Sequence, residues 1–451
     1  MPQATTPSIE RVAISALRPY PGNARTHSKK QIAQIADSIS RFGFTNPVLI
    51  SDAGEIIAGH GRVVAAKSLG MADVPTLKLS HLSAAERRAY VIADNKLALN
   101  AGWDFEILSI ELQALIDLDF DATLTGFSLA EIDLTLDHAR AASTAPDAAA
   151  DLIPELADAP VTRRGEVWVL GEHRVLSGDA RSSADVASLM GADQADLIFT
   201  DPPYNVPIDG HVGGLGAIKH REFAFASGEM TPEQFTAFLS VTLGNAAAHA
   251  KDGAISFVCM DWRHIRELLD AGRAVFSELK NLCVWNKTNG GMGSFYRSKH
   301  ELVFVFKIGT APHTNSFGLG ETGRYRSNMW DYAGISSLGG AREAELAMHP
   351  TVKPVALVAD AIKDCSRRNE IVLDVFGGSG STLIAAASCG RRARLIEYDP
   401  LYCDTIVRRW QTYTGKRARL EAGNQTFAEL AEQRLMPRPA KPVRATRRIK
   451  P

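Results

Sequence analysis

The feature that most constrains the fold is the segment at residues 195–204, ADLIFTDPPY, in which a short apolar run ends in a carboxylate, two prolines and a tyrosine. The run predicts a buried parallel strand that stops at Asp201, because proline cannot continue a sheet ladder. Two prolines also fix φ, so they hold the Asp201 carboxylate and the Tyr204 ring in a nearly rigid array. Open α/β sheets bind ligands at the carboxyl ends of their strands, which makes this strand end a candidate site.

A second segment, IVLDVFGGSGST at residues 371–382, predicts a strand, a glycine loop and a helix. Glycines in such a loop let the backbone approach a ligand closely. The following strand ends at Glu397, a carboxylate placed to bind a ribose diol. The loop lacks the full Gly-x-Gly-x-x-Gly spacing, and a nicotinamide dehydrogenase has no use for the Asp-Pro-Pro-Tyr segment. Both observations disfavour a dinucleotide as the ligand.

The Asp-Pro-Pro-Tyr segment resembles motif IV of the amino-group DNA methyltransferases, in the form typical of adenine as the target. HPTVKP at residues 349–354 is similar to motif X of that family, and the catalytic motif precedes the glycine loop, as in its β class. The resemblance spans about residues 165–425. It implies an α/β fold, namely a Rossmann-like S-adenosylmethionine-dependent methyltransferase. Two departures, Val375 for a more usual Pro or Ala and Ser381 for Thr, remove no functional atom.

The resemblance implies a role for each residue of motif IV. An exocyclic amino nitrogen has its lone pair delocalised into the base, so hydrogen bonds to its protons are needed to direct that lone pair at a methyl group. The catalytic residues implied are Asp201, Pro202, Pro203 and Tyr204. Asp201 and the Pro202 carbonyl would accept from the amino group, and Tyr204 would stack on a base flipped out of its duplex.

The same resemblance implies S-adenosylmethionine as the cofactor and ten residues that bind it. They are Asp179, Thr200, Lys353, Phe376, Gly378, Ser379, Gly380, Ser381, Glu397 and Asp399. Asp179 is included because a Gly-Asp pair lies beside the cofactor's adenine in the family; a plain turn aspartate is the alternative.

Residues 8–100 predict a small α/β domain that resembles the ParB/sulfiredoxin-like fold. Gly59, His60, Gly61 and Arg62 precede a predicted helix, where backbone N–H groups and a guanidinium can hold phosphate. The resemblance implies CTP or ATP at this turn. The alternative is a tight glycine turn with Arg62 on the surface.

The remaining segments follow from composition. Residues 101–138 predict a helical extension that braces the first domain, and residues 139–160 are a linker rich in Ala, Asp and Pro. A methyltransferase domain follows at 161–430, and 431–451 form a basic, disordered tail. Basic residues interleaved with aromatic ones predict DNA contact at Lys287, Arg297, Arg324 and Arg326, with a surface hairpin as the alternative.

Overall composition adds few constraints. The net charge of −1 is weak evidence against a nucleic-acid partner, since a local basic groove can be offset elsewhere. Five scattered cysteines without a Cys-x-x-Cys pair predict neither a disulfide framework nor a metal site. The start has no basic segment followed by an apolar one, and no apolar run is long enough to cross a bilayer, so we expect a cytoplasmic protein without membrane contact.

These expectations combine into one leading hypothesis: a site-specific DNA methyltransferase that acts on the adenine amino group. Its partner is double-stranded DNA, and the class also allows a homodimer and a cognate restriction enzyme. The alternatives are cytosine N4 methylation, whose family more often has Ser at the first position of motif IV, and a non-catalytic ParB-like DNA-binding adaptor. Glutamine methylation of proteins is disfavoured because those enzymes resemble the motif with Asn in place of Asp201.

Overall fold

The computed structural model describes residues 8–118, 120–143, 149–206, 226, 228–287, 295–317, 325–333 and 352–435, with side chains up to residue 137 in the helix that ends at Ser143. The chain divides into two compact units, Met1–Ser143 and Thr144–Pro451. Among the described residues, none of the helices combines the length and apolar character that a membrane crossing requires.

The N-terminal unit contains a four-stranded sheet with the order β1-β4-β2-β3. Its strands are β1 (Ile9–Ala13), β2 (Val48–Ile50), β3 (Ile56–Ala58) and β4 (Asp73–Lys78), and its helices are α1 (Lys29–Phe42), α2 (His60–Ser68), α3 (Ala84–Ala98), α4 (Phe105–Asp117) and α5 (Leu129–Ser143), with 3₁₀ turns at Ile14–Ala16 and Ala122–Thr125. Only β2 and β4 pair in parallel; the other two pairings are antiparallel.

Side-chain caps define where two helices of this unit begin. The Ser28 hydroxyl caps α1 by accepting from the Gln31 N–H, and Ser83 with Glu86 forms a complete capping box at α3. A buried apolar cluster that includes Ile50, Ile56 and Val63 packs α2 against the sheet. The turn between β3 and α2 is therefore held by the core on both sides.

The predicted helical extension forms a core of its own. Leu108 and Leu112 of α4 pack against Ile132 and Leu136 of α5. Asp104 caps α4 by accepting from two backbone N–H groups.

The C-terminal unit is built on a ten-stranded mixed sheet with the order β11-β9-β10-β8-β7-β12-β13-β6-β5-β14. Its strands are β5 (Val167–Leu170), β6 (His173–Ser177), β7 (Ala195–Thr200), β8 (Ala250–Met260), β9 (Glu278–Asn286), β10 (His300–Lys307), β11 (Met329–Asp331), β12 (Ile371–Asp374), β13 (Arg392–Glu397) and β14 (Arg419–Leu420). Its helices are α6 (Ser183–Met190), α7 (Pro232–Ala248), α8 (Ile265–Val275), α9 (Val355–Cys365), α10 (Ser381–Ser388), α11 (Pro400–Thr414) and α12 (Phe427–Leu435), with a 3₁₀ turn at Trp262–His264.

The centre of this sheet is parallel and confirms the predicted α/β fold. β7 pairs in parallel with β8 on one side and with β12 on the other. From β7 the chain continues outward through β8, whereas from β12 it continues the opposite way through β13. The gap between β7 and β12 is thus a point where strand order reverses, which is where doubly wound sheets bind ligands. Motif IV and the glycine loop leave the sheet at this point.

Two predicted segment boundaries differ from the structure. Helix α5 runs to Ser143 and so extends into the predicted linker at 139–160. Ala150 within that linker and Val161 directly after it are buried in the core of the C-terminal unit. Helix α12 extends to Leu435, so the first residues of the predicted tail at 431–451 are helical. Composition predicted neither these helix ends nor the burial of Ala150 and Val161. Residues 436–451 lie outside the described residues.

Candidate active site

The turn after β7 carries the motif IV residues and is tied to its surroundings on both sides. Thr200 is fully buried, and its hydroxyl donates to Asp374 Oδ1 of β12 at 2.9 Å. Pro202 is buried, and Asn205 follows the turn with a positive φ of 52°. The Asn205 amide donates to the Met230 carbonyl at 2.9 Å, and its oxygen accepts from the Met230 N–H at 3.2 Å. Sequence reasoning missed Asn205, whose hydrogen bonds fix the backbone directly after motif IV.

Both carboxylate oxygens of Asp201 accept hydrogen bonds from side chains. Lys353 Nζ lies 2.6 Å from Asp201 Oδ2, and the Tyr204 hydroxyl donates to Asp201 Oδ1 at 2.6 Å. Lys353 was predicted at the cofactor; the structure places its ammonium on the Asp201 carboxylate. The first three residues of the predicted motif X, 349–351, lie outside the described residues.

Glu301, at the start of β10, joins this group. Its Oε2 lies 2.8 Å from Lys353 Nζ and 3.1 Å from the Tyr204 hydroxyl, and its other oxygen forms an ion pair with Lys287. The four charged side chains comprise two carboxylates and two ammonium groups. The sequence signal that could have identified Glu301 is a carboxylate at the head of a strand whose next five residues are apolar.

Burial and charge shift the pKa values of this cluster. Burial raises the pKa of Asp201, opposed by the Lys353 ammonium, and raises the pKa of the Tyr204 phenol well above its usual value. Burial also disfavours ionisation of Glu301, but Lys353 and Lys287 outweigh it and lower its pKa to about 2. The pKa of Lys353 is raised, because Asp201 and Glu301 outweigh its burial. The lysine is charged at neutral pH.

The glycine loop after β12 is coupled to the end of β13. Glu397 accepts from the Gly378 N–H and from the Asp399 N–H, both at 2.8 Å. Burial raises the pKa of Glu397 to about 7, although these two hydrogen bonds oppose the shift. Gly380 begins α10 with a φ of 84°. The structure therefore brings the predicted ribose ligand and the predicted loop together.

Five further predicted cofactor residues lie around this loop. Asp179 accepts from the backbone N–H of Arg181 at 2.9 Å and forms an ion pair with its guanidinium at 2.7 Å; the neighbouring Gly178 N–H donates to the Glu397 carbonyl. The half-buried Phe376 ring lies 5.9 Å from that of Phe238. Ser379 and Ser381 line the same loop and its helix, and Asp399 caps α11 through the Leu401 N–H.

Arg409 of α11 is a buried residue that sequence reasoning missed. Its guanidinium donates to the Ser379 carbonyl at 2.9 Å and to the Ala150 carbonyl at 2.8 Å, and also contacts the Ser379 and Ser381 hydroxyls. Burial lowers the pKa of Arg409 to about 10. Arg409 therefore connects the glycine loop to the backbone at Ala150.

The residues predicted to contact DNA have different environments. Lys287 pairs with Glu301 inside the cluster described above. Arg326 donates to Asp364 at 2.9 Å and to the Tyr332 hydroxyl at 3.1 Å, so its guanidinium is committed to contacts within the unit. Arg297 is exposed beside Phe295 and Tyr296, whose side chains are 88% and 81% exposed. Arg324 lies outside the described residues.

In the N-terminal unit, the structure brings the four predicted phosphate-binding residues together at the start of α2. Gly59 has a φ of 99°, and a Cβ there would meet the Arg62 guanidinium at 2.9 Å. The guanidinium donates to the Pro47 carbonyl at 3.3 Å, and Arg62 Nε is buried without a hydrogen-bond partner in the described part of the chain. Burial lowers the pKa of Arg62, opposed by Asp94, and lowers that of His60, with His27 adding to the effect.

The five cysteines are buried and unbonded to one another. Within the described ranges, no group of three or more His, Cys, Asp or Glu side chains is arranged to hold a metal ion.

Comparisons with protein families match three segments of the chain. A DNA methylase model matches residues 195–408, a ParB-methyltransferase HTH domain matches residues 106–164, and a ParB N-terminal domain matches residues 2–95.

Individual relatives match the two units separately. The ParB-like nuclease domain-containing protein YnaK of Escherichia coli K12 is 59% identical over 70 residues, which are 16% of this chain and 80% of the relative. The putative methylase YubD of the same strain is 26% identical over 225 residues, or 49% of this chain and 82% of the relative. Among solved structures, the M1.HpyAVI complex with S-adenosylmethionine matches with a TM-score of 0.39 at 20% identity, covering 52% of this chain and 97% of that one.

Proposed function

The chain belongs to the DNA methylase family of N6 and N4 amino-group methyltransferases, β class, with a ParB-like domain in front, and from that membership we propose that it methylates adenine in double-stranded DNA at specific sites. One observation carries the proposal. Asp201 and Tyr204 leave the sheet at β7, next to the strand from which the glycine loop leaves, β12. A base held by the first loop would lie beside a cofactor held by the second.

The residues around the glycine loop fit S-adenosylmethionine. Glu397 is a half-buried carboxylate at the end of the strand next to the loop. Two N–H groups hold it, and its remaining lone pairs can accept from a ribose diol. The half-buried Phe376 ring offers an apolar face at the loop. When bound, this cofactor supplies a methyl group activated by a sulfonium.

Asp201 and the Pro202 carbonyl orient the amino group in the proposed mechanism. By accepting from its protons they localise the nitrogen lone pair toward the methyl carbon. With S-adenosylmethionine bound, methyl transfer would turn its sulfonium into a thioether and would leave one proton to be lost from the nitrogen, and Asp201 is the group that would accept that proton. Tyr204 supplies a ring face for the flipped base.

Adenine is favoured over cytosine by the first residue of motif IV. The resemblance associates Asp-Pro-Pro-Tyr with adenine and Ser at the first position with cytosine, and this chain has Asp201. Mass analysis of nucleosides from DNA methylated by the protein would distinguish N6-methyladenine from N4-methylcytosine. Finding only the latter would overturn the adenine assignment. A ParB-like adaptor without catalysis is not favoured, since the motif IV and glycine-loop residues are all in place.

The catalytic assignment is tested by Asp201→Asn, which keeps the shape of the side chain but removes its charge. We expect methyl transfer to fall by about 10² or more, since a charged acceptor is lost from the reacting group. Binding of S-adenosylmethionine, measured by calorimetry, should remain within about twofold, because the cofactor cradle is untouched. Retained transfer would show that Asp201 is not the acceptor.

A nucleotide at the N-terminal unit is a second proposal. The buried Arg62 Nε without a partner in the described residues and the α2 N-terminus favour the triphosphate of CTP or ATP. His60, whose pKa is lowered by burial and by His27, would contact it as a neutral ring. Calorimetric titration of the full chain, with and without DNA, should show binding that Arg62→Met abolishes. The exposed Arg18, which donates to the Ala53 carbonyl, offers a control substitution. Equal nucleotide affinity in wild type and Arg62→Met would contradict the site.

DNA contact is proposed for Arg297, whose exposed side chain lies beside two exposed aromatic rings. Lys287 and Arg326 are poorer candidates, since both are paired within the unit. Filter binding should show weaker binding and a reduced salt slope for Arg297→Ala. Cytoplasmic location, a homodimer and a cognate restriction enzyme are consistent with this proposed function.

A further inference from the structure

Asp201, Tyr204, Glu301 and Lys353 form the Asp201 cluster. In it, Glu301 is a second acceptor for the two groups that donate to Asp201, namely the Lys353 ammonium and the Tyr204 hydroxyl. Lys353 Nζ lies 2.6 Å from Asp201 Oδ2 and 2.8 Å from Glu301 Oε2. The Tyr204 hydroxyl lies 2.6 Å from Asp201 Oδ1 and 3.1 Å from the same Glu301 oxygen. A tyrosine hydroxyl has one proton, so it can donate to only one of the two carboxylates at a time. The same two donors can therefore serve either acid.

This arrangement matters because Asp201 must accept from the target amino group. An ammonium and a phenol on its oxygens compete with that bond and withdraw charge from the acceptor. If they stayed in place, the arriving base would meet a carboxylate already engaged. A nearby acceptor that takes them over removes the competition without leaving a buried ammonium unpaired, which would be costly.

We propose that Glu301 is a positioning residue that draws Lys353 and the Tyr204 hydroxyl off Asp201 when the target base arrives. This role rests on the proposed methyl transfer to a DNA amino group. Glu301 is suited to it because its other oxygen already forms an ion pair with Lys287, the residue that directly follows the neighbouring strand β9. The side chains of Glu301 and Lys353 are only 11% and 4% exposed, so solvent does not replace either partner.

The test measures transfer of a tritiated methyl group from S-adenosylmethionine to bacterial genomic DNA that has been amplified in vitro and is therefore unmethylated. Glu301→Gln keeps the size of the side chain but removes its charge, so Lys353 stays on Asp201. We expect kcat to fall about ten- to a hundredfold, with cofactor affinity unchanged. Glu278→Gln is the matched control: Glu278 is the first residue of β9 and pairs with Lys280 at 3.1 Å.

A double-substitution cycle separates positioning from simple structural support. In a Lys353→Met background there is no ammonium to withdraw, so Glu301→Gln should cause little further loss of kcat. The Lys353→Met variant should also show a rate that rises with pH, because the Lys353 ammonium opposes the rise in the pKa of Asp201 and its loss leaves more of Asp201 protonated at low pH. The titratable groups that remain near Asp201 are Glu301, Tyr204, Lys287, Cys259 and Asp374. Equal losses from Glu301→Gln in both backgrounds would overturn the proposal.

A second variant and the activity of the wild type separate failure to fold from failure of the proposal. If Glu301→Gln fails to fold, Glu301→Gln combined with Lys287→Met removes one charge of each sign, and its activity must show the same dependence on Lys353. If the wild-type protein methylates no DNA, the proposed function fails and Glu301's role with it. If the wild type is active and Glu301→Gln is equally active, only the role of Glu301 is refuted.

Discussion

At the scale of single residues, the site is a set of buried charges, and each is stabilised by a specific neighbour. Asp201 has an ammonium and a phenol, Glu301 has two ammonium groups, and Glu397 has two backbone N–H groups. Buried charges without such partners would shift to their neutral forms. No cation pairs with Glu397 in the described part of the chain, and burial raises its pKa to about 7.

That shift predicts how stability depends on pH. The ordinary pKa of Glu397 is 4.5, so between about 4.5 and 7 the folded protein holds a proton that the unfolded chain has lost. The free energy of unfolding therefore falls as pH rises through this window. Asp374, whose pKa burial also raises to about 7, adds to the same slope. Glu397→Gln should reduce the slope without abolishing it, as measured by urea denaturation at several pH values.

Cofactor binding should show the opposite dependence. If the ionised Glu397 accepts from the ribose diol, S-adenosylmethionine affinity of the wild type increases as pH rises through about 7. Calorimetry on Glu397→Gln should give weak affinity with little pH dependence. A pH-independent affinity in the wild type would argue against Glu397 as the ribose ligand.

At the scale of elements, the glycine loop and α10 depend on a backbone conformation that other residues adopt at a cost. Gly380 has a φ of 84°, and a Cβ there would lie 3.2 Å from two carbons of Ile406. Gly415, which ends α11, has a φ of 70° and no atom within 4 Å of such a Cβ. Substitution of Gly415 therefore tests backbone strain alone, whereas substitution of Gly380 tests backbone strain together with crowding against Ile406.

Alanine at either glycine should cost about 1–2 kcal/mol of unfolding free energy through the left-handed backbone. Gly380→Ala should cost about 1–3 kcal/mol more, because Ile406 must move, and it should also weaken cofactor binding. Denaturation and calorimetry on both variants test this. Equal losses of stability with unchanged cofactor affinity in both variants would show that the loop tolerates the crowding.

At the scale of the whole molecule, each unit buries its own apolar residues. The clusters built on Ile50 and on Leu112 use only residues of the N-terminal unit, and those built on Phe199, Leu373 and Phe304 use only residues of the C-terminal unit. The ParB N-terminal match lies within the first unit and the DNA methylase match within the second, whereas the HTH match at residues 106–164 crosses the division. Independent cores are what separately folding domains require.

A chain shortened to residues 144–451 should therefore fold and bind S-adenosylmethionine within about twofold of the full-length affinity, since it retains its own cores and the whole site. Its affinity for DNA should be lower if the N-terminal unit contributes DNA contacts. Circular dichroism, thermal unfolding and calorimetry would check the first expectation. Aggregation of the shortened chain or loss of cofactor binding would contradict it.

The sequence by itself determined the features that depend on neighbours along the chain. Strand β7 has the predicted bounds, the capping boxes at Ser83 and Thr231 start helices, and the glycine loop lies between a strand and a helix. Prolines, capping residues and glycines act within a few positions of themselves, so their effects can be predicted locally.

Only the tertiary structure decided which distant side chains share the site. Glu301 reaches Tyr204 across 97 positions because β10 lies beside β8 and β8 beside β7. Arg409 supports the glycine loop, and Lys353 contacts Asp201 across 152 positions. Such pairs depend on the order of strands in the sheet and on burial, because a buried charge needs a partner of opposite charge. Hydrophobic periodicity in the sequence predicts neither the strand order nor the partner.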